Sequence, residues 1–278
     1  MLNEILKNLV KQKRKENIPD FVIINFLKEY LQFPVLDFIY NNPKYQNLIF
    51  IGGSCLRICY NLPRLSEDLD FDLFQKDYDK LNLKSLALEI KEYFKNNFLI
   101  NIDFRCQEKV RVYLKFPILK KLNLSYGNGS DILYVKIEPT KSKFIKPEVE
   151  INPVSSFGFN FLVKNYNLKF LMTGKIIAIF TREWFKGKND EIDIKGRDFY
   201  DIFWYFKNNI SPDYKNLSKF IRINNKNELK ERLWGKINNS VTEQKLSYDL
   251  KNFFGNQSFI SSFCKNYKEI MKKYLLVK

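Results

Sequence analysis

Residues 52–73 read GGSCLRICYNLPRLSEDLDFDL, and this stretch decides the fold. It opens on a small-residue turn, Gly52-Gly53-Ser54. It closes on a run in which Asp68, Asp70 and Asp72 alternate with Leu69, Phe71 and Leu73. Alternate side chains of a strand share a face, so Asp68 and Asp70 aim at one spot and Asp72 continues the row. Like charges carried into an apolar strand are costly unless a cation neutralises them. Paired hard oxygen ligands suit magnesium, which takes one or two carboxylates and keeps several waters. Upstream, NLIFI (Asn47 to Ile51) reads as a buried strand, and SCLRICYNL as a short helix with Ser54 placed to cap it. Strand, glycine turn and helix N-terminus make a nest of backbone N–H groups suited to phosphate oxygens. Each half alone is ordinary, since most such turns are only turns and most Asp-x-Asp pairs are solvated edges. The combination points to a metal beside a phosphate.

Working outward, residues 2–15 and 20–32 have helical apolar spacing, the second opening at Pro19-Asp20. Leu81 to Asn96 is an amphipathic helix. FLINIDFRC, VRVYLKFPIL and ILYVKIEPT read as strands, the last two joined by a polar loop containing Gly127-Asn128-Gly129. In ILYVKIE, Leu133, Val135 and Ile137 share one face while Tyr134, Lys136 and Glu138 share the other. Glu138 is therefore a candidate third carboxylate, or equally a strand residue paired with Lys136 or another lysine.

From about residue 160 the pattern reads as wholly helical. LKFLMTGKIIAIFTREWF forms a helix capped by Asn167, and RDFYDIFWYFKNN the next. Lys175 sits among Ile176, Ile177 and Ala178, a setting that demands an anionic partner. Arg182 lies seven residues on along the same face. Asp198 suits a helix start through the dipole, and Arg197 with Asp201, four apart, suits a surface pair. Alternatively, Lys175 reaches a phosphate while Asp198 fixes that lysine or helps at the metal.

The chain has 278 residues, 45% of them hydrophobic, enough for two domains, 1–158 and 159–278. Of the net charge of +16, residues 159–278 carry 23 Lys/Arg against 12 Asp/Glu, which is +11 and leaves +5 for the rest. This asymmetry favours a polyanionic partner, nucleic acid before membrane, although base composition alone also enriches Lys and Asn. The four cysteines lack metal-ligand spacing and read as free thiols. The N-terminus is too charged for a signal peptide, and no apolar stretch reaches a membrane span, so a cytoplasmic setting is expected. There is no histidine. That removes Ser-His-Asp and Cys-His mechanisms and leaves carboxylates, lysine and bound metal.

GGSCLRICYNLPRLSEDLDFDL, TGKIIAIFTRE and KGRDFYDIFWYF, in that order, resemble the AbiEii/AbiGii toxin family of nucleotidyltransferases, within the polymerase-β-like superfamily. The resemblance spans Gly52 to Phe206. It implies an α+β fold, a mixed nucleotidyltransferase sheet flanked by helices, then an all-helical basic domain, with an active cleft between. It implies nucleotide and phosphate contacts at Gly52, Gly53, Ser54 and Ser66, metal at Asp68 and Asp70, and active-site membership for Lys175 and Asp198, with Glu138 as the superfamily's third carboxylate. The activity implied is magnesium-dependent transfer of a nucleotide from an NTP, manganese serving in its place. The acceptor would be RNA such as the tRNA 3′ end, and the protein the toxin partnered by an antitoxin. On this reading Lys175→Ala stays folded but loses nucleotide affinity or turnover. Two rivals keep the fold: an enzyme that nucleotidylates protein, and an inactive regulator that only binds nucleotide or nucleic acid.

Overall fold

The computed structural model describes residues 2–125 and 127–276. They fall into two compact units, Met1–Lys143 with Val149–Asn165, and Phe144–Glu148 with Tyr166–Lys278.

The first unit opens with α1 (Leu2–Lys15) and α2 (Asp20–Tyr40). α1 buries Leu2, Leu6 and Val10, one stripe at helical spacing. α2 outruns the expected 20–32 because apolar residues continue around it through Val35, Leu36 and Ile39, all fully buried. Next come β1 (Ile49–Ile51), α3 (Gly52–Tyr60), β2 (Asp68–Leu73), α4 (Gln75–Lys80) and α5 (Leu83–Phe98). The remaining strands are β3 (Asp103–Gln107), β4 (Arg111–Pro117), β5 (Ile132–Lys141), β6 (Val149–Ser156) and β7 (Phe159–Tyr166).

The seven strands form one mixed sheet in the order β3-β4-β5-β2-β1-β7-β6. β2 is central, antiparallel to β1 and parallel to β5. On β5, Leu133, Val135 and Ile137 are buried as their alternation requires. Residues 159–166 are not helical, contrary to expectation. β7 alternates buried Phe161 and Val163 with exposed Leu162, and Asn165 pairs with Phe50 of β1 in parallel register. Asn165 is fully buried, with its Nδ2 donating to the Tyr60 hydroxyl (2.7 Å) and its Oδ1 accepting from Asn152 (2.9 Å). A polar residue in that position masks a short strand lying directly before a strong helix. A division after residue 158 would fall in the β6–β7 turn.

The second unit is helical: α6 (Leu168–Thr181), α7 (Gly196–Lys207), α8 (Tyr214–Ile221), α9 (Lys226–Ser240), α10 (Glu243–Leu250) and α11 (Gln257–Leu275). Five of these begin at a side-chain cap, from Asn167, Asp213, Asn225, Thr242 and Asn256, each accepting from an N–H of the first turn. α7 instead has Lys195 at its N-cap with no such bond. Its Arg197 N–H is satisfied from outside, by Asp249 of α10 at 2.9 Å. Among the described residues no helix is long and apolar enough to cross a membrane.

Candidate functional site

The glycine turn joins β1 to α3 as the sequence requires. Gly52 has φ +76°, a conformation that disfavours any side chain. Its backbone also presses on the aspartate row, since a Cβ there would stand 2.5 Å from Asp70 Oδ2. At Gly53 a Cβ would stand 2.6 Å from Arg64 Nη2 and 2.9 Å from Ser66 Oγ. The two glycines, Arg64, Ser66 and Asp70 thus form one close-fitted cradle. Arg64 is 2% exposed and donates to the Leu65 carbonyl. The sequence marks it only as an arginine between Pro63 and Leu65 in LPRLS.

Ser54 is not the cap of α3. The helix begins at Gly52 with Ile51 at the N-cap, and Ser54, fully buried, donates its hydroxyl to the Asp68 carbonyl. It thereby fastens the first turn of the helix to the start of β2. The N–H groups of such a first turn have no partner within the helix.

On β2, Asp68 and Asp70 are partly exposed while Asp72 is buried and accepts from Thr140 Oγ1. Parallel pairing sets Asp68 opposite Lys136 and Asp70 opposite Glu138. Lys136 Nζ bridges two of these acids, 2.9 Å from Asp68 and 2.7 Å from Glu138. Burial alone would lower the lysine, but Asp68 and Glu138 outweigh it and hold the ammonium above its ordinary value. Glu138 also meets Arg111 at 3.2 Å. Among the described residues no three His, Cys, Asp or Glu side chains form a metal-holding group. Glu138, opposite Asp70 in the register, meets Lys136 and Arg111. The pair that remains still fits a divalent ion: two hard, partly exposed carboxylates on one strand face, Asp70 lying in a cradle that any Cβ on Gly52 would fill.

The second unit gathers a different cluster. Lys175 Nζ lies 2.7 Å from Asp198 and 2.8 Å from Asp201, and its side chain is only 12% exposed. Arg182 meets the other oxygen of Asp198 at 2.5 Å. Burial pushes the Asp198 carboxyl up, yet Lys175, Arg182 and Lys195 more than reverse this and hold it far below the usual carboxylate range. So Asp198 does fix Lys175, one of the two alternatives read from sequence. The expected pairing of Arg197 and Asp201 on an exposed surface is corrected in its setting: Asp201 is fully buried and meets Lys175 at 2.8 Å, while Arg197 meets Asp249 at 3.2 Å. Helical spacing put residues 197 and 201 on neighbouring positions but did not reveal that this face turns inward.

With this geometry in place, the comparisons are informative. The family model for the nucleotidyl transferase AbiEii toxin of type IV TA systems matches residues 36–276. Similar solved structures include an H. pylori protein named provisionally as a nucleotidyltransferase, 18% identical, with 90% of this chain and 96% of that one covered and a TM-score of 0.49. Another is JHP933 from Helicobacter pylori, 17% identical over 91% and 93% of the two chains, also with a TM-score of 0.49. No curated protein matches the sequence. The family match takes in the glycine cradle, the β2 aspartates and the Lys175 cluster together, and the chain belongs to the AbiEii nucleotidyl transferase toxin family of type IV toxin–antitoxin systems.

Proposed function

We propose that this protein moves a nucleoside monophosphate from an NTP to an RNA hydroxyl, with the tRNA 3′ end as first candidate, and acts as the toxin of its pair. The acceptor oxygen bonds to the α-phosphorus as the bond to pyrophosphate breaks. The observation that carries this reading is the Asp68–Asp70 pair set against Gly52, whose absent Cβ leaves room for the Asp70 carboxylate. Asp68 and Asp70 would hold magnesium, or manganese in its place, which when bound chelates phosphate oxygens and lowers the pKa of the attacking hydroxyl.

The chain's own groups do the rest. The N–H groups of Gly53 and Ser54, in the first turn of α3, offer donors to phosphate oxygens. Ser66 Oγ, beside Gly53, is assigned to the nucleotide. Glu138 acts as counter-ion to Lys136 and Arg111, keeping Lys136 beside Asp68. Lys175 and Asp198 are assigned to the reaction through the family. Lys175 holds the two aspartates, and Asp198 in turn orients Arg182. The excess positive charge of the second half suits an RNA acceptor gripped through phosphates, with an affinity that falls steeply with salt. A cytoplasmic setting and an antitoxin partner complete the reading.

The test incubates protein, Mg²⁺, each labelled NTP and total RNA. Removal of one metal ligand in Asp68→Ala should lower the rate at least about a thousandfold. Equal labelling by wild type and variant contradicts the proposal, and label on protein rather than RNA moves the acceptor to a side-chain hydroxyl.

A further inference from the structure

Inside the second unit, α6 ends at Thr181 and a polar connector leads to α7. The end of α6, this connector, the start of α7 and α9 line a shallow cavity open to solvent. Three cations face it, Arg182, Lys195 and Lys236, with Trp184 alongside.

Two acids also line the cavity, and both are already matched. Asp193 meets Lys245 at 2.8 Å, and Asp198 is held by Lys175 and Arg182. Among the described residues, by contrast, neither the Lys195 nor the Lys236 ammonium has a hydrogen-bond or ion-pair partner. Lys195 is the more telling of the two. Burial, together with Arg197, pushes its ammonium down to about 8 despite the attraction of Asp198. It also occupies the N-cap of α7, where the five other helices of the unit place a capping Asn, Asp or Thr. A half-buried lysine without an acid is unfavourable for the fold alone, and a cap position held by lysine forgoes a hydrogen bond. Both features become favourable once an anion enters the cavity.

The kind of anion follows from the donors. An arginine fork matches phosphate oxygens, and lysines add point charge around it. An indole beside such a group offers a stacking face for a base. We infer that this cavity binds a phosphate group of a nucleotide through Arg182, Lys195 and Lys236, with Trp184 as the platform for the adjoining base. The choice of a nucleotide over another phosphate rests on the function proposed above. Two sources share this chemistry: the triphosphate of a free NTP, and a phosphodiester of single-stranded RNA.

Calorimetric titration of the full-length protein in EDTA tests the inference. The probes are inorganic triphosphate, each NTP, and single-stranded RNA of about ten nucleotides. Wild type should bind inorganic triphosphate, and the double variant Lys195→Gln/Lys236→Gln should bind it at least about tenfold more weakly, a change of about 1.4 kcal/mol. Neither ammonium makes a hydrogen bond or close ion pair, and Asp198 keeps Lys175 and Arg182 when Lys195 is replaced, so the variant should stay folded, as its melting curve will show. Trp184→Leu should weaken NTP or RNA but leave inorganic triphosphate unchanged, and whichever of the two it weakens more is the natural source. Absence of binding by wild type, or a loss of less than tenfold in the double variant, overturns the inference. Asp68→Ala separates it from the proposed function, because that variant should retain the anion site while losing nucleotidyl transfer. If wild type transfers nucleotide and the double variant binds like wild type, the cavity proposal fails and the catalytic one stands.

Discussion

Two regions of this molecule gather aspartates around lysine, and they do so in opposite ways. On β2 the acids stand at the edge of solvent: Asp68 is 28% exposed and its partner Lys136 20%. In the helical unit Asp198 and Asp201 are 4% and 0% exposed, with Lys175 between them. An exposed pair exchanges partners cheaply, because water covers the change. A buried pair does not, because removing one member strands a charge in a medium that cannot solvate it. On the function proposed above, the same residue types would serve an exchangeable cation site in one place and a fixed scaffold in the other.

Substitutions separate these roles. The largest effect is expected from Asp68→Ala, at least about a thousandfold in transfer rate, with the melting temperature nearly unchanged. A comparable loss of stability would erase the distinction between the regions. Next is Lys175→Ala, which removes the ammonium shared by two buried carboxylates, Asp201 and the Asp198 that Arg182 also meets, and should destabilise the fold by about 3–5 kcal/mol in denaturant titration. Here the structure revises the sequence-based expectation that this variant stays folded. An unfolding midpoint equal to wild type would return Lys175 to a role confined to nucleotide binding.

Gly52→Ala follows. The left-handed backbone alone costs about 1–2 kcal/mol for a residue with a Cβ, and the new atom would also displace Asp70. Turnover should fall more than stability does, as read by parallel rate and melting measurements. The smallest effect belongs to Lys136→Met. Without the ammonium, Asp68 loses the lysine that bridges it to Glu138 and Glu138 keeps Arg111, so the added negative charge favours a divalent ion. Calorimetry with Mn²⁺ should then report binding tighter by on the order of tenfold, equivalent to about 1.4 kcal/mol. Weaker binding would make Lys136 an organiser of the site, not a competitor for it.

What the sequence revealed and what it hid follow from the range of each interaction. The aspartate row and the glycine turn are local, fixed by a period of two and by a backbone conformation only glycine adopts readily, and both are found where the residues imply. The cap at Asn167 is equally local, accepting from the Phe170 N–H at 3.1 Å. Lys136 and Glu138 could be placed on a common face of β5. Their register against Asp68 and Asp70 depends on a parallel pairing between strands more than sixty residues apart, which no local pattern encodes. Glu138 was readable both as a third carboxylate and as a partner of Lys136; what the sequence did not show is that Lys136 bridges it to Asp68. The Lys175 demand for an acid was readable, whereas Asp201 was hidden because a surface pair with Arg197 satisfied the same spacing. Ser54 was read as the cap of α3, whereas it lies inside the first turn and fastens that turn to β2, because a helix start and the positions just inside it look alike in sequence.

The central claim is that the paired carboxylates of β2 carry chemistry and not fold. Its most direct test is pyrophosphate release from NTP and acceptor RNA by wild type and Asp68→Asn, on samples matched for melting temperature. Release by wild type that requires Mg²⁺ and is lost in the folded variant is the predicted result. Equal release by both proteins, or loss that merely tracks unfolding, would contradict it.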